Sequence, residues 1–349
     1  MTNGRPPDPQ PAATVVLLRP SGGGAEPEVL LTQRPSTMAF GAGLHVFPGG
    51  KVDPADAAPE VAARSARSAA DAARALGGNE SPGAALALHV AALRELAEEV
   101  GVELGGGPGL RTDLLVPIAH WVTPSFMPRR FSTWFFVADL PDGAEPVFEA
   151  DEVVAHRWVT PSAALDQMAS GEIAMWVPTT SVLQRLIESG GRTAAAVGQS
   201  IRIGPTSPPR IVAEDAVRVR FAFGAAGGLP GRTGETSLIG DRELVLVDPC
   251  DPSDDALDLI HAAVERRRGA IRAIVLTRTD PDHAAAAEAL AIPLELPILV
   301  APGAGRHLPY VTRELGDGEA LPCDVDLRVG LGPPGSGRLA VVGPASAGE

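Results

Sequence analysis

Residues 84–100 read AALALHVAALRELAEEV, and they constrain the fold of this 349-residue chain more than any other stretch. Leu86, Val90, Leu93, Ala97 and Val100 recur every three or four residues and predict one apolar stripe on an α-helix. Gly101 supplies the left-handed cap that stops it. Glu95, Glu98 and Glu99 stand at i, i+3 and i+4, so they share an arc roughly opposite that stripe. Arg94, four residues before Glu98, can brace that carboxylate. Three carboxylates this close repel by about 1 kcal/mol per pair at ~4 Å in water, and by several-fold more beside a low-dielectric wall. Something positive should offset the repulsion, and hard divalent cations prefer carboxylate oxygen. For an isolated EXXEE a solvated acidic face is the plainer reading. Here no Lys or Arg follows at i+4, and a Gly-Gly loop at 49–50 offers backbone that can approach a ligand closely.

The rest of the chain is organised around that helix. Its length suits two domains, and 45% hydrophobic with 21% charged residues is a globular composition. A net charge of −14 argues against nucleic acid and anionic membrane as partners, but not against small anionic substrates held in a local pocket. The two cysteines, Cys250 and Cys323, exclude a disulfide framework. No signal-peptide pattern and no run near the roughly 18–20 apolar residues of a membrane span is present, so the cytoplasm is the expected location. Residues 1–12 read as a disordered tail, and 14–18 with 29–33 as a hairpin. Residues 54–83 read as an insertion between two functional pieces. Strands are expected at 114–122, 131–139 and 152–159, and helices at 161–169 and 180–188. A Gly/Pro/Ser-rich stretch at 191–215 reads as a linker. Beyond it, strand 244–248, helix 254–268, strand 271–277, helix 284–290 and strand 297–301 alternate, which predicts an α/β layer with parallel pairs. The last twenty residues read as loose.

Arg94-Glu95-Leu96-Ala97-Glu98-Glu99-Val100-Gly101-Val102 resembles the second half of the Nudix box, REUXEEXGU, at every defined position. Gly49-Gly50-Lys51-Val52-Asp53 looks like its opening, with Asp56 at the position of the box's first Glu. About thirty residues must loop out between the halves, as in the coenzyme A diphosphatase-like subgroup. Leu30-Leu31-Thr32-Gln33-Arg34, Gly43 to Gly50 with its Phe47-Pro48-Gly49-Gly50 end, and Trp121-Val122-Thr123-Pro124 with Arg129-Arg130-Phe131 resemble that subgroup too, although Ala39 stands where its signature has an Arg. The resemblance covers about 12–190. It implies an α/β fold, a Nudix α/β/α sandwich with a mixed sheet over 13–190, and cleavage of a diphosphate with Mg²⁺ or Mn²⁺. It implies Glu98 and Glu99 as principal metal ligands, Glu95 as a further ligand or the base, the Gly49 carbonyl as a further ligand, and Arg94 as the residue that orients the acids. Glu149 and Glu152 are the candidates for a base on a later loop, with Glu152 favoured. Arg34, Arg129 and Arg130 are candidate phosphate contacts, and Phe47 and Gly50 candidate substrate contacts. Core packing and surface charge are the plainer roles for the Phe and the arginines.

In the second half, Thr277-Arg278-Thr279-Asp280-Pro281-Asp282-His283 resembles the metal-binding motif of the metallo-β-lactamase superfamily, and Thr236 to Gly240 with Leu244 to Pro249 resembles its first strand pair. Arg278 and Asp280 replace the two leading histidines. A guanidinium cannot ligate zinc, so 216–349 is expected to be a degenerate, smaller metallo-β-lactamase-like α/β domain without metal. Support, homodimer formation and cover of the cleft are the roles open to it. Three functions are thereby set out. The first is a diphosphatase acting on coenzyme A, an acyl derivative or a related nucleoside diphosphate compound. The others are a non-catalytic Nudix-fold binding module and a zinc hydrolase centred on His283.

Overall fold

The computed structural model describes residues 7–24, 26–37, 41–105, 107–124, 127–148, 153–310 and 312–343. Two compact units divide the chain, with the change-over after Thr206 and a short return at Leu229–Gly231.

The first unit is built on a mixed seven-stranded sheet. β1 (Gln10–Arg19) and β2 (Glu28–Gln33) form the expected hairpin, antiparallel with Leu18 opposite Val29. β3 (His45–Val46) and β4 (Gly49–Lys51) are short strands in the glycine-rich loop, pairing with β2 and β1. β1 already begins at Gln10, where Gln10 faces Phe131 in a parallel pairing, so the end of the expected tail is ordered by the sheet. The inserted segment 54–83 carries α1 (Pro59–Ala62) and α2 (Ala69–Ala75). Ala72 and Leu76 join the core of α3 (Pro82–Val100).

Local chemistry fixes both ends of α3. Ser81 Oγ accepts from Ala84 N–H, Pro82 stands in the first turn, and Gly101 adopts φ 65°. Leu86, Val90, Leu93 and Val100 are buried as the stripe requires, but Ala97 is half-buried and Leu96 takes its place in the core. From Ala85 to Leu93 every residue is buried, because α2 lies along that half of the helix. Past the exposed first turn, only the last two turns have an open face.

β5 (Val116–Val122), β6 (Phe131–Asp139) and β7 (Ala155–Val159) complete the sheet. β1 and β6 run parallel, and β7 closes on β2 with Leu30 opposite Trp158 and Thr32 opposite His156. Along β1, Ala13, Val15 and Leu17 pack with Leu30, Trp134, Phe136 and α3 in one core. α4 (Pro161–Ala169), α5 (Val177–Ser189) and α6 (Ala194–Ser200) follow. α6 falls inside the expected linker, whose Ala-rich middle is a fair helix former once Thr193 caps it.

The second unit holds another seven-stranded sheet. β8 (Arg210–Glu214), β9 (Arg218–Phe223), β10 (Gly234–Ile239) and β11 (Glu243–Val247) form an antiparallel meander. β11 then pairs in parallel with β12 (Ala270–Val275), β12 with β13 (Ile298–Val300), and β13 with β14 (Arg313–Glu314). The crossovers carry α7 (Asp254–Arg267), α8 (Pro281–Ala284) and α9 (Ala287–Leu294), as the alternation predicts. β15 (Arg328–Leu331) pairs with β16 (Leu339–Val342), which lies in the last twenty residues expected to be loose. No described helix is long and apolar enough to cross a membrane.

Candidate active site

The two halves of the split glycine–glutamate pattern meet at Arg94. Its Nε donates to Asp56 Oδ1 at 3.0 Å and one terminal nitrogen to Oδ2 at 3.0 Å, a two-pronged ion pair across 38 residues of sequence. The same nitrogen reaches the Lys51 carbonyl at 2.9 Å. Its other terminal nitrogen donates to Glu95 Oε1 at 2.8 Å and Glu98 Oε2 at 2.9 Å. Asp56 is buried, and it also accepts from Asp53 N–H at 2.7 Å, which fixes the turn leading out of β4. Hydrogen bonding to Asp56, foremost, holds the Arg94 proton more firmly than usual. The repulsion expected among the three glutamates is therefore offset in part from within the chain.

Two glycines let the loop approach these acids. Gly49, at φ 155°, donates its N–H to Glu99 Oε2 at 2.9 Å. A β-carbon there would lie 2.4 Å from the Ala13 carbonyl oxygen, so only glycine fits. At Gly50 a β-carbon would lie 2.3 Å from Glu95 Oε1, so that carboxylate fills the space of the missing side chain. Glu98 is the most open of the three acids, with its side chain 59% exposed against 14% for Glu95.

The donors fit a hard dication by chemistry, being carboxylate oxygens on one helical flank. No three His, Cys, Asp or Glu side chains among the described residues are already gathered into a metal cage. Glu98 and Glu99 are the residues that would hold the ion. The Gly49 contact seen is its N–H to Glu99, which orients that acid.

The other expected site residues divide. Glu149 and Glu152 lie outside the described residues, as does Ala39. Arg34 follows β2, and its Nε is buried without a hydrogen-bond partner. Arg129 is exposed. Arg130 corrects the expectation of a phosphate contact: it is 5% exposed and its guanidinium clamps the carbonyls of Thr123 and Pro7 at 2.9 Å each. Phe47 is 3% exposed, so it packs in the core instead of lining a pocket. The sequence reading passed over Asp56 as a working residue, although its place in the pattern was legible.

In the second unit, Thr277 donates its N–H and hydroxyl to the two carboxylate oxygens of Asp248, at 2.7 and 2.5 Å. Burial pushes the Asp248 carboxyl up to about 6. Arg278 pairs with Asp280 at 2.8 Å, and Asp280 holds His283 Nδ1 at 2.7 Å, while Arg232 pairs with Asp282. Asp280 and Asp282 are each engaged by a guanidinium.

A NUDIX domain family model matches residues 71–178. The match starts inside the insertion, so Gly49, Gly50 and Asp56 fall before it although they touch the residues it contains. Among solved structures, a NUDIX hydrolase from Alicyclobacillus acidocaldarius is 30% identical, over 57% of this chain and 99% of that one, with a TM-score of 0.47. An Ap4A hydrolase from C. elegans is 19% identical over 51% of this chain and 96% of its own, with a TM-score of 0.30. A MutT NUDIX hydrolase from Burkholderia pseudomallei is 19% identical over 45% and 86%, with a TM-score of 0.29. Residues 71–178, with Arg94 and its three glutamates among them, match the NUDIX domain model, and the chain thus carries a NUDIX domain.

Proposed function

We propose that the chain is a diphosphatase for coenzyme A, an acyl derivative or a related nucleoside diphosphate compound, working with Mg²⁺ or Mn²⁺. The observation that carries the catalytic part is the Arg94 junction, which assembles Asp56, Glu95 and Glu98 at the Gly49–Gly50 turn. The coenzyme A part rests on the sequence resemblance of 30–34, 43–50 and 121–131. A bound dication neutralises diphosphate oxygens and lowers the pKa of an attacking water. Glu98 and Glu99 would supply its carboxylate ligands. Arg94 keeps Glu95 and Glu98 aligned, and Glu99 is aimed by the Gly49 N–H. Water adds to one phosphorus, the bridging P–O bond breaks, and two phosphate monoesters leave. Glu152 is the favoured group to take the proton from that water, and Arg34, with its unpaired Nε, suits a phosphate oxygen. The second unit reads as a degenerate metallo-β-lactamase-like domain, because Arg278 holds a positive charge where the motif would place a cation. Cytoplasmic location and homodimer formation belong to the same reading.

The test is incubation of the full chain with coenzyme A, NADH and ADP-ribose in Mg²⁺, with product analysis. Phosphate monoesters are expected from at least one of them. Glu98→Gln should lower kcat at least a hundredfold and abolish the Mg²⁺-dependent rise in Tm. Turnover at the wild-type rate in Glu98→Gln would overturn the ligand assignment, and nucleotide binding with no turnover of any of the three would favour the binding-module reading.

A further inference from the structure

We propose that Phe148 and His156 form a stacking platform for the nucleobase of the substrate, a deepening that rests on the nucleoside diphosphate reading above. The two rings lie nearly parallel, 17° apart, with centroids separated by 3.7 Å. Phe148 is half-buried and packs against the core shared by β1, β2 and α3, whereas His156 is exposed. The imidazole therefore covers Phe148 and turns its other side toward solvent. A flat π-face on a half-buried ring that holds it in place is what a purine needs to stack upon.

Position supports the assignment. His156 stands opposite Thr32, and its neighbour on the same face, Trp158, stands opposite Leu30. Leu30 and Trp158 pack with α3, so alternation puts His156 on the side of the sheet that carries the catalytic helix. Phe148 is held there by the preceding residue: Val147 N–H donates to the Val100 carbonyl at 2.8 Å, in the last turn of α3, one residue beyond Glu99. Arg34, just past the end of β2, has a buried Nε without a partner. The ring face thus lies beside the end of the glutamate-bearing helix, and with the Arg34 donor it matches a base with an attached phosphate.

Binding of 1,N6-ethenoadenosine diphosphate to the full chain, followed by fluorescence anisotropy in metal-free buffer, tests this apart from turnover. His156→Ala should weaken binding at least tenfold, and His156→Phe should restore most of it because it keeps a ring. Phe148→Ala should act like His156→Ala; if it fails to fold, the exposed His156 pair of variants still decides. Competition by inorganic pyrophosphate, which has no ring, should be the same within twofold in wild type and His156→Ala. Equal affinity of wild type and His156→Ala for the etheno nucleotide, or no binding by wild type, would overturn the platform. Stacking-dependent binding without hydrolysis of coenzyme A, NADH or ADP-ribose would keep the platform and sink the diphosphatase reading instead.

Discussion

Asp56 does at the scale of one residue what the covalent spacing of an uninterrupted motif would otherwise do. Its carboxylate is 3% exposed, and it meets a guanidinium that is 28% exposed and carries two of the three glutamates on its other nitrogen. Replacing Asp56 with Ala leaves Arg94 partly buried without its largest partner, and it frees the Asp53 N–H as well. The loss of a partner in such a pair costs about 3 kcal/mol, at the lower end of the range because Arg94 keeps some water. Urea unfolding should show that loss as a lower midpoint at unchanged slope. kcat should fall more than the stability deficit explains, because Glu95 and Glu98 lose their alignment. Asp56→Glu has one methylene more, and recovery of both quantities by it would show that the ion pair, not the side-chain volume, matters.

The element that matters most is α3, and its buried half carries its own pH dependence. His89 Nδ1 lies 2.7 Å from the Ala85 carbonyl oxygen, so that nitrogen bears the hydrogen, while Nε2 is buried without a partner beside Phe136. A second proton would sit unpaired in the core, and burial accordingly lowers the pKa from 6.5 to about 4. Between those values the unfolded chain takes up a proton that the folded chain refuses. His89 therefore contributes a loss of stability as pH falls from about 6.5 toward 4, on the order of 3 kcal/mol in full, and nothing above that window. His89→Leu should flatten this part of the stability–pH curve; an unchanged slope would locate the acid sensitivity elsewhere. α3 was legible in sequence because the apolar stripe and the Gly101 stop agree, whereas its Ser81 cap was not read. What covers it was not, since the Ala/Arg/Asp composition of α2 gives no hint that Ala72 and Leu76 are core. β9 was passed over although Val219, Phe221 and Phe223 alternate with exposed neighbours as a half-buried strand should. β1 was shortened because Pro9 and Pro11 disguise its start. At the site, the glutamates and glycines were readable because backbone sterics and charge act locally. The burial of Arg130 was not legible, because it depends on contacts made far along the chain, such as that with the Pro7 carbonyl.

Across the whole molecule, each unit has cores of its own, α3 and the β1–β6 region in one, α7, α9 and the β11–β13 layer in the other. Two thermal transitions are therefore expected, and a dication held by Glu98 and Glu99, as proposed, would stabilise only the unit that contains them. At a hundredfold excess over Kd the gain is about 2.7 kcal/mol, roughly 5–10 °C in Tm for a unit of this size. The transitions should also answer pH with opposite sign. Asp248, half-buried just past the end of β11 with φ 50°, has its carboxyl raised from 3.8 to about 6 by desolvation. As pH climbs through that window the unfolded chain gives up a proton that the folded one keeps, so the Asp248 contribution to the second unit declines until about pH 6 and is constant above it. An amide mimics the protonated carboxyl and can still accept from Thr277, so Asp248→Asn should match wild type at pH 4 and exceed it by up to about 3 kcal/mol at pH 7.5. Calorimetry at the two pH values, with and without Mg²⁺, separates these effects. Mg²⁺ moving both transitions equally would mean that the units unfold as one, and Asp248→Asn losing stability at pH 7.5 would mean that the Thr277 hydrogen bonds to the ionised carboxylate outweigh the cost of burying its charge.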